Sequence, residues 1–168
     1  MEKKSSRLII AVRLILAAMV LANIIFIWGN SAEDGAQSKS KSDKVVDIVE
    51  PIINKNGNIP EDKMSFYVRK GAHFSEYALL GGLSSLLYLS LLSFDYKKIR
   101  AHLIAVPLGV AAIAGIDETI QKFYDRTSSI KDVALDSTGG IFGILVAAAI
   151  FTVVSLIAVR IVKKRKYQ

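Results

Sequence analysis

Four long apolar runs constrain this chain more than anything else in it, because about 20 consecutive apolar residues are what an α-helix needs to cross the hydrocarbon of a bilayer. They fall at about 8–28, 73–92, 101–118 and 136–159. In hydrocarbon the backbone must satisfy its own hydrogen bonds, so such runs are helices. The third is the shortest, with 16 residues, apolar or small but for His102, before Asp117 and Glu118. With 52% of 168 residues hydrophobic, the expected architecture is all-α. It is a single membrane domain over 1–168, a bundle of four transmembrane helices with a polar cleft on the extracellular side.

The formal charge of +7 argues for the same solvent. Its cations are clustered beside the apolar runs: Lys3, Lys4 and Arg7, then Lys97, Lys98 and Arg100, then Arg160 and Lys163 to Lys166. A bilayer surface explains this placement better than nucleic acid, which is not expected as a partner. If four helices cross, all three clusters fall on one side, and the positive-inside bias makes both termini cytoplasmic in a multi-pass protein of the cell membrane. The segment 30–68 carries five lysines against seven acids, a net of −2 suited to the outside. There is no cysteine, which removes disulfides and thiolate metal ligands and leaves oxygen and imidazole chemistry.

Taken in order, Leu8 to Trp28 is longer than the roughly 7–15 apolar residues of a signal peptide and is read as a retained anchor. Arg13 is expected to snorkel to the positive end and Trp28 to rest at the opposite interface. From Gly29 the density of Gly, Ser and Asn predicts an exposed loop. After Ser42 and Asp43, a possible helix cap, Val45, Val46, Val49, Ile52 and Ile53 recur at helical steps. They predict an amphipathic interfacial helix in the first outer loop, stopping at Asn56 and Gly57. Pro60, Glu61 and Asp62 start another helix, which should run on into the second span until Ser93, Phe94 and Asp95.

This topology brings the start of span two, the end of span three and the start of span four to the outer surface, and their polar residues with them. Arg69, Lys70, His73 and Glu76 come from the first, Asp117, Glu118 and Gln121 from the second, and Arg126, Asp132 and Asp136 from the third and the loop before it. The three- and four-residue spacings place His73 with Glu76, Asp117 with Gln121, and Asp132 with Asp136 on shared faces. An ion inside a bilayer costs about 2.5–3.5 kcal/mol on insertion scales, so several together are expected to face the bundle interior and pair. They could form only a structural network. As a site, His73, Glu76, Asp117 and Glu118 are the candidate acid–base residues. Arg69, Lys70, Gln121, Arg126, Asp132 and Asp136 are then candidates for ligand binding. The same carboxylates could hold a divalent cation. The expected partner is a membrane lipid or a lipid-linked envelope component.

Gly81 and Gly82, with Gly139, Gly140 and Gly143 at GxxxG spacing, are expected to let helices approach within the chain. His102 reads as an interfacial polar residue, and Pro107 as a kink that the third span tolerates.

RKGAHFSEYALLGG at 69–82 and IDETIQKFYDRTSSIKDVALDSTGGIFG at 116–143, with WGNSAEDGAQSKSKS at 28–42, resemble the VanZ-like family of small bacterial membrane proteins. The matching positions are Arg69, Lys70, His73, Glu76 and Tyr77, then Asp117, Glu118, Gln121, Arg126, Asp132, Asp136 and Gly139 or Gly140. The resemblance adds Tyr77 to the candidate ligand-binding residues. It implies a bacterial membrane location and a link to low-level resistance to teicoplanin, a glycopeptide that acts at the cell surface, and it supplies no reaction. Many members place a glycine, often after a proline, just before the arginine, where this chain has Tyr124 and Asp125.

Overall fold

In the computed structural model, which describes residues 2–55, 58–92 and 96–166, all regular structure among the described residues is helical. α1 spans Glu2–Ser31, α2 Gly35–Ile53, α3 Glu61–Leu91, α4 Tyr96–Phe123 and α5 Ile130–Lys166. The expected breaks at Asn56 and Gly57 and at Ser93, Phe94 and Asp95 lie outside the described residues.

Three helices carry segments long and apolar enough to cross a membrane: Ser6–Ser31 in α1, Arg100–Phe123 in α4 and Ile130–Ile157 in α5. Large apolar side chains on these helices face outward, among them Leu14 at 66%, Leu108 at 64% and Leu145 at 64% exposed. An apolar surface this extensive is one that lipid covers, and the chain is a membrane protein. The sequence predicts four such spans, and by length and composition there are three among the described residues. The exception is α3, which carries Ser75, Glu76, Gly81, Gly82, Ser84 and Ser85 along its length. α3 is also the helix that packs against all four of the others. A helix whose neighbours are protein needs less apolar surface than one whose neighbours are acyl chains.

α3 and α5 make the closest contact, and glycine makes it. A methyl group added at Gly139, Gly81 or Gly143 would collide with the backbone carbonyl of Phe74, Gly140 or Ala78 respectively. Because Phe74 meets Gly139 while Ala78 and Gly82 meet Gly143, the two helices run in the same direction. The small residues thus serve packing within the chain. Around this seam Ile27, Tyr77, Leu80, Val106, Val110, Ala114 and Ile144 form the buried core.

α3 begins as expected, with Pro60 preceding Glu61 and Asp62 in the first turn. At about 1.5 Å per residue its 31 residues extend about 46 Å, well beyond the roughly 30 Å of hydrocarbon. α2 packs along this helix, burying Ser42 and Val46, and Asp43 accepts a hydrogen bond of 3.0 Å from the Ser65 hydroxyl. The start of α2 differs from expectation. α2 starts at Gly35, so residues expected to form a loop are helical, and the cap is Asp34, whose carboxylate accepts from the Gln37 amide at 2.8 Å. Composition favours a loop there, but one good cap and the packing of Ser42 outweigh it.

Arg13 has a specific partner that the sequence does not name. Its guanidinium donates to the Ser90 carbonyl through Nε at 3.1 Å and a terminal nitrogen at 2.6 Å, filling an acceptor left open by the end of α3. Trp28 packs against the core, and His102 is 3% exposed with its Nε2 2.9 Å from the Ser85 hydroxyl. A buried serine acting as partner explains how an imidazole can leave the interface. α4 keeps Pro107 inside an unbroken helix.

Candidate functional site

α4 ends one turn beyond three polar residues, and that ending shapes the site. Asp125 takes a left-handed φ of 52°, and the Arg126 amide donates back to the Gln121 carbonyl at 3.1 Å, the six-to-one bond of a Schellman-type helix end. The chain reverses and α5 is capped by Ser129, whose hydroxyl accepts from the Lys131 amide at 3.1 Å. The Ser129 amide in turn donates to Glu118 Oε2 at 2.9 Å, so an α4 carboxylate anchors the start of α5.

A cleft of about 210 Å³ opens at this end of the bundle, lined by Arg69, Lys70, His73, Glu118, Gln121, Arg126, Asp132 and Asp136. A neighbouring pocket of about 130 Å³ is lined by Asn30, Glu33, Lys41, Arg69, His73, Glu76 and Arg126, among others. Arg69, His73 and Arg126 line both and form the wall between them. The structure therefore gathers residues from α3, α4, α5 and the turn that the sequence singles out. Two of them lie deeper. Asp117 and Tyr77 are 0% exposed, beneath the floor.

The contacts inside this cluster are uneven. Lys70 is salt-bridged to Asp132 and stands 5.5 Å from the Phe66 ring centroid. Asn30 Nδ2 donates to Glu76 Oε1 at 3.0 Å, and Gln121 Nε2 donates to Asp117 Oδ2 at 3.1 Å. Arg126 donates to the Asn30 carbonyl at 3.1 Å. Burial lowers the Arg126 pKa, the Arg69 charge adds to the lowering, and Asp117, Glu118 and Glu33 oppose it. Arg69 has no hydrogen bond or salt bridge among the described residues. At the floor and beneath it, Tyr77 Oη, Asp117 Oδ1, Glu118 Oε1 and His73 Nδ1 are buried with no hydrogen bond of good geometry, and both oxygens of Asp136 join them. His73 Nδ1 lies 3.8 Å from Asp136 Oδ1, beyond hydrogen-bonding distance. Buried polar groups are normally satisfied, so these atoms have hydrogen-bonding or ligating capacity left for water, an ion or a ligand.

The sequence reading misses the contribution of α1 and α2. Asn30 touches Glu76, Arg126 and, at 3.4 Å, Lys41, and Lys41 is salt-bridged to Glu33. The signal is faint. Asn23, Ile27 and Ser31 are buried at four-residue steps, so α1 turns one polar-flecked face inward.

Chemically, the cleft offers an unpaired guanidinium at its wall, a second arginine beside it, and an imidazole among carboxylates at its floor. The first two suit a phosphate or carboxylate, and the last suits proton transfer or a metal ion. The VanZ/LLP1 family model matches residues 13–152, which include every residue of this cluster. No curated protein and no solved structure matches the chain.

Proposed function

The chain belongs to the VanZ/LLP1 family, and on that premise we propose that it is a multi-pass membrane protein of four crossings whose outer cleft binds a phosphate-bearing headgroup. That headgroup belongs to a membrane lipid or a lipid-linked envelope precursor. In this reading α3 is the fourth crossing, its modest hydropathy offset by its central position. Both termini lie in the cytoplasm with the three cationic clusters. α2 rests in the outer interface, where Ile48 at 70% and Ile52 at 68% exposed reach acyl chains while Ser42 and Val46 hold α3.

The observation that carries the headgroup reading is Arg69. It is a guanidinium without a partner among the described residues, on the wall shared by two pockets, with Arg126 beside it. Arginine presents a planar fork that matches phosphate oxygens, and at the headgroup level a phosphate is the abundant anion. His73 and Glu76 flank the same wall, where either could move a proton to or from a bound ligand.

Purified protein in detergent, titrated with a short-chain anionic phospholipid and separately with a short-chain polyprenyl phosphate, tests this reading and separates the two sources of phosphate. Arg69→Ala and Arg126→Ala should each weaken binding about tenfold or more, or about 1.4 kcal/mol, while the exposed Lys63→Ala leaves it unchanged. Equal binding by all four proteins would sink the proposal. A second reading, a purely structural network, is favoured by the bonds that Asn30, Lys70 and Glu118 make between segments. It predicts that the substitutions lower stability while no ligand binds the wild type. In cells, the headgroup reading places reduced teicoplanin susceptibility downstream of the cleft, so His73→Ala should remove the effect from protein that still reaches the membrane. Lipid extracts from the same cells report any turnover.

A further inference from the structure

We propose that His73, Asp117 and Asp136 bind one divalent transition-metal ion, Zn²⁺ or Mn²⁺, at the floor of the cleft. Each residue offers one ligand atom, and the three atoms lie within 4.8 Å of one another. They come from α3, α4 and α5 in turn, so the three helices that build the cleft meet at this point.

Burial without partners is the second observation, and it is independent of the spacing. Asp136 is 1% exposed and neither of its oxygens is hydrogen-bonded. Asp117 is 0% exposed, with Oδ2 taken by Gln121 and the Ser31 hydroxyl beside the carboxylate. Two carboxylates brought together in a medium of low dielectric repel each other and lose their hydration, an arrangement that persists when a cation compensates it. Of the nearby cations, Lys70 is engaged by Asp132 and Arg126 by the Asn30 carbonyl, and Arg69 forms no salt bridge with either carboxylate among the described residues. A dication with two carboxylates and a neutral imidazole forms a site of zero net charge.

The donor set selects the kind of metal. One nitrogen and two oxygens suit Zn²⁺ or Mn²⁺, whereas Ca²⁺ takes six to eight oxygens and Mg²⁺ keeps several waters. Tetrahedral ligands at about 2.0–2.2 Å from a metal stand about 3.4 Å apart, so the 3.8 Å between His73 and Asp136 closes by small side-chain rotations. Gln121 already orients Asp117, as a supporting residue behind a metal ligand does. Three protein ligands leave a coordination position open towards the cleft.

This site does not depend on headgroup binding, and the experiment keeps the two apart. Protein stripped with EDTA and exposed to ZnCl2 or MnCl2 alone, without lipid, should retain one ion per chain by elemental analysis and unfold at a higher temperature. His73→Ala and Asp136→Asn should each lower affinity by about tenfold or more, and the exposed Asp62→Asn should not. Asp136→Asn removes an unpartnered buried charge while keeping the shape, so the stripped variant should unfold no earlier than stripped wild type. If that variant fails to fold, Asp117→Asn replaces it. The proposal is overturned if folded, stripped wild type retains neither ion, or if the Asp136 and Asp117 variants bind as wild type does. Headgroup titrations run in EDTA report on the arginine wall by itself, so either idea can fail while the other stands.

Discussion

Asp125 is the only non-glycine residue with positive φ among the described residues, and it sits where the chain leaves α4 for the site. Left-handed backbone is unfavourable for most side chains, and aspartate bears it better than alanine because its carboxylate can bond locally. Asp125→Ala should therefore lower stability by about 0.5–1 kcal/mol, while Asp125→Gly should not, as compared by thermal unfolding in detergent. Arg13 offers a second residue-scale test. Its two bonds to the Ser90 carbonyl predict a loss of about 1.5–3 kcal/mol for Arg13→Ala. An Arg13→Ala protein as stable as wild type would return the residue to mere snorkelling. Charged residues of the site are legible in the sequence because a charge inside an apolar run is costly enough to need a reason. Asn30 and Ser31 are not, since neutral polar residues at the end of a span cost little and stand out from nothing.

Between elements, the α3–α5 seam is the feature on which the site's geometry rests. Gly143 lies against the Ala78 backbone, so Gly143→Ala must push two helices apart, at a cost of about 1–3 kcal/mol. Gly109 and Gly115 have open space around the position of a Cβ, so alanine there should be neutral or mildly stabilising. Melting temperatures of the three variants, measured side by side, decide whether backbone contact or simple glycine content matters. GxxxG spacing in an apolar run makes the close approach legible in advance, but a pattern on one helix does not name its partner. α2 shows the opposite case. Its first ten residues look like a loop by composition, and only the Asp34 cap and the α3 surface beside it make them helical.

For the whole molecule, the proposed topology has a direct test, helped by the absence of native cysteine. Lys39→Cys and Asp62→Cys should react with a membrane-impermeant maleimide on intact cells, whereas Ser6→Cys and Arg160→Cys should react only after permeabilisation. Labelling of Ser6→Cys and Lys39→Cys from the same side would remove α1 as a crossing, and with it the orientation. The sequence by itself determines that the chain is helical, that lipid is its solvent, and which charged residues must find partners away from that lipid. Those follow from local hydrophobicity and the cost of an isolated charge, which depend on no long-range contact. Only the tertiary structure decides that α3, the least apolar of the long helices, lies at the centre. It also decides that α1 adds Asn30 to the site, and that His73, Asp117 and Asp136 come within reach of a single ion. These are matters of which helix faces which, and packing between backbones settles them.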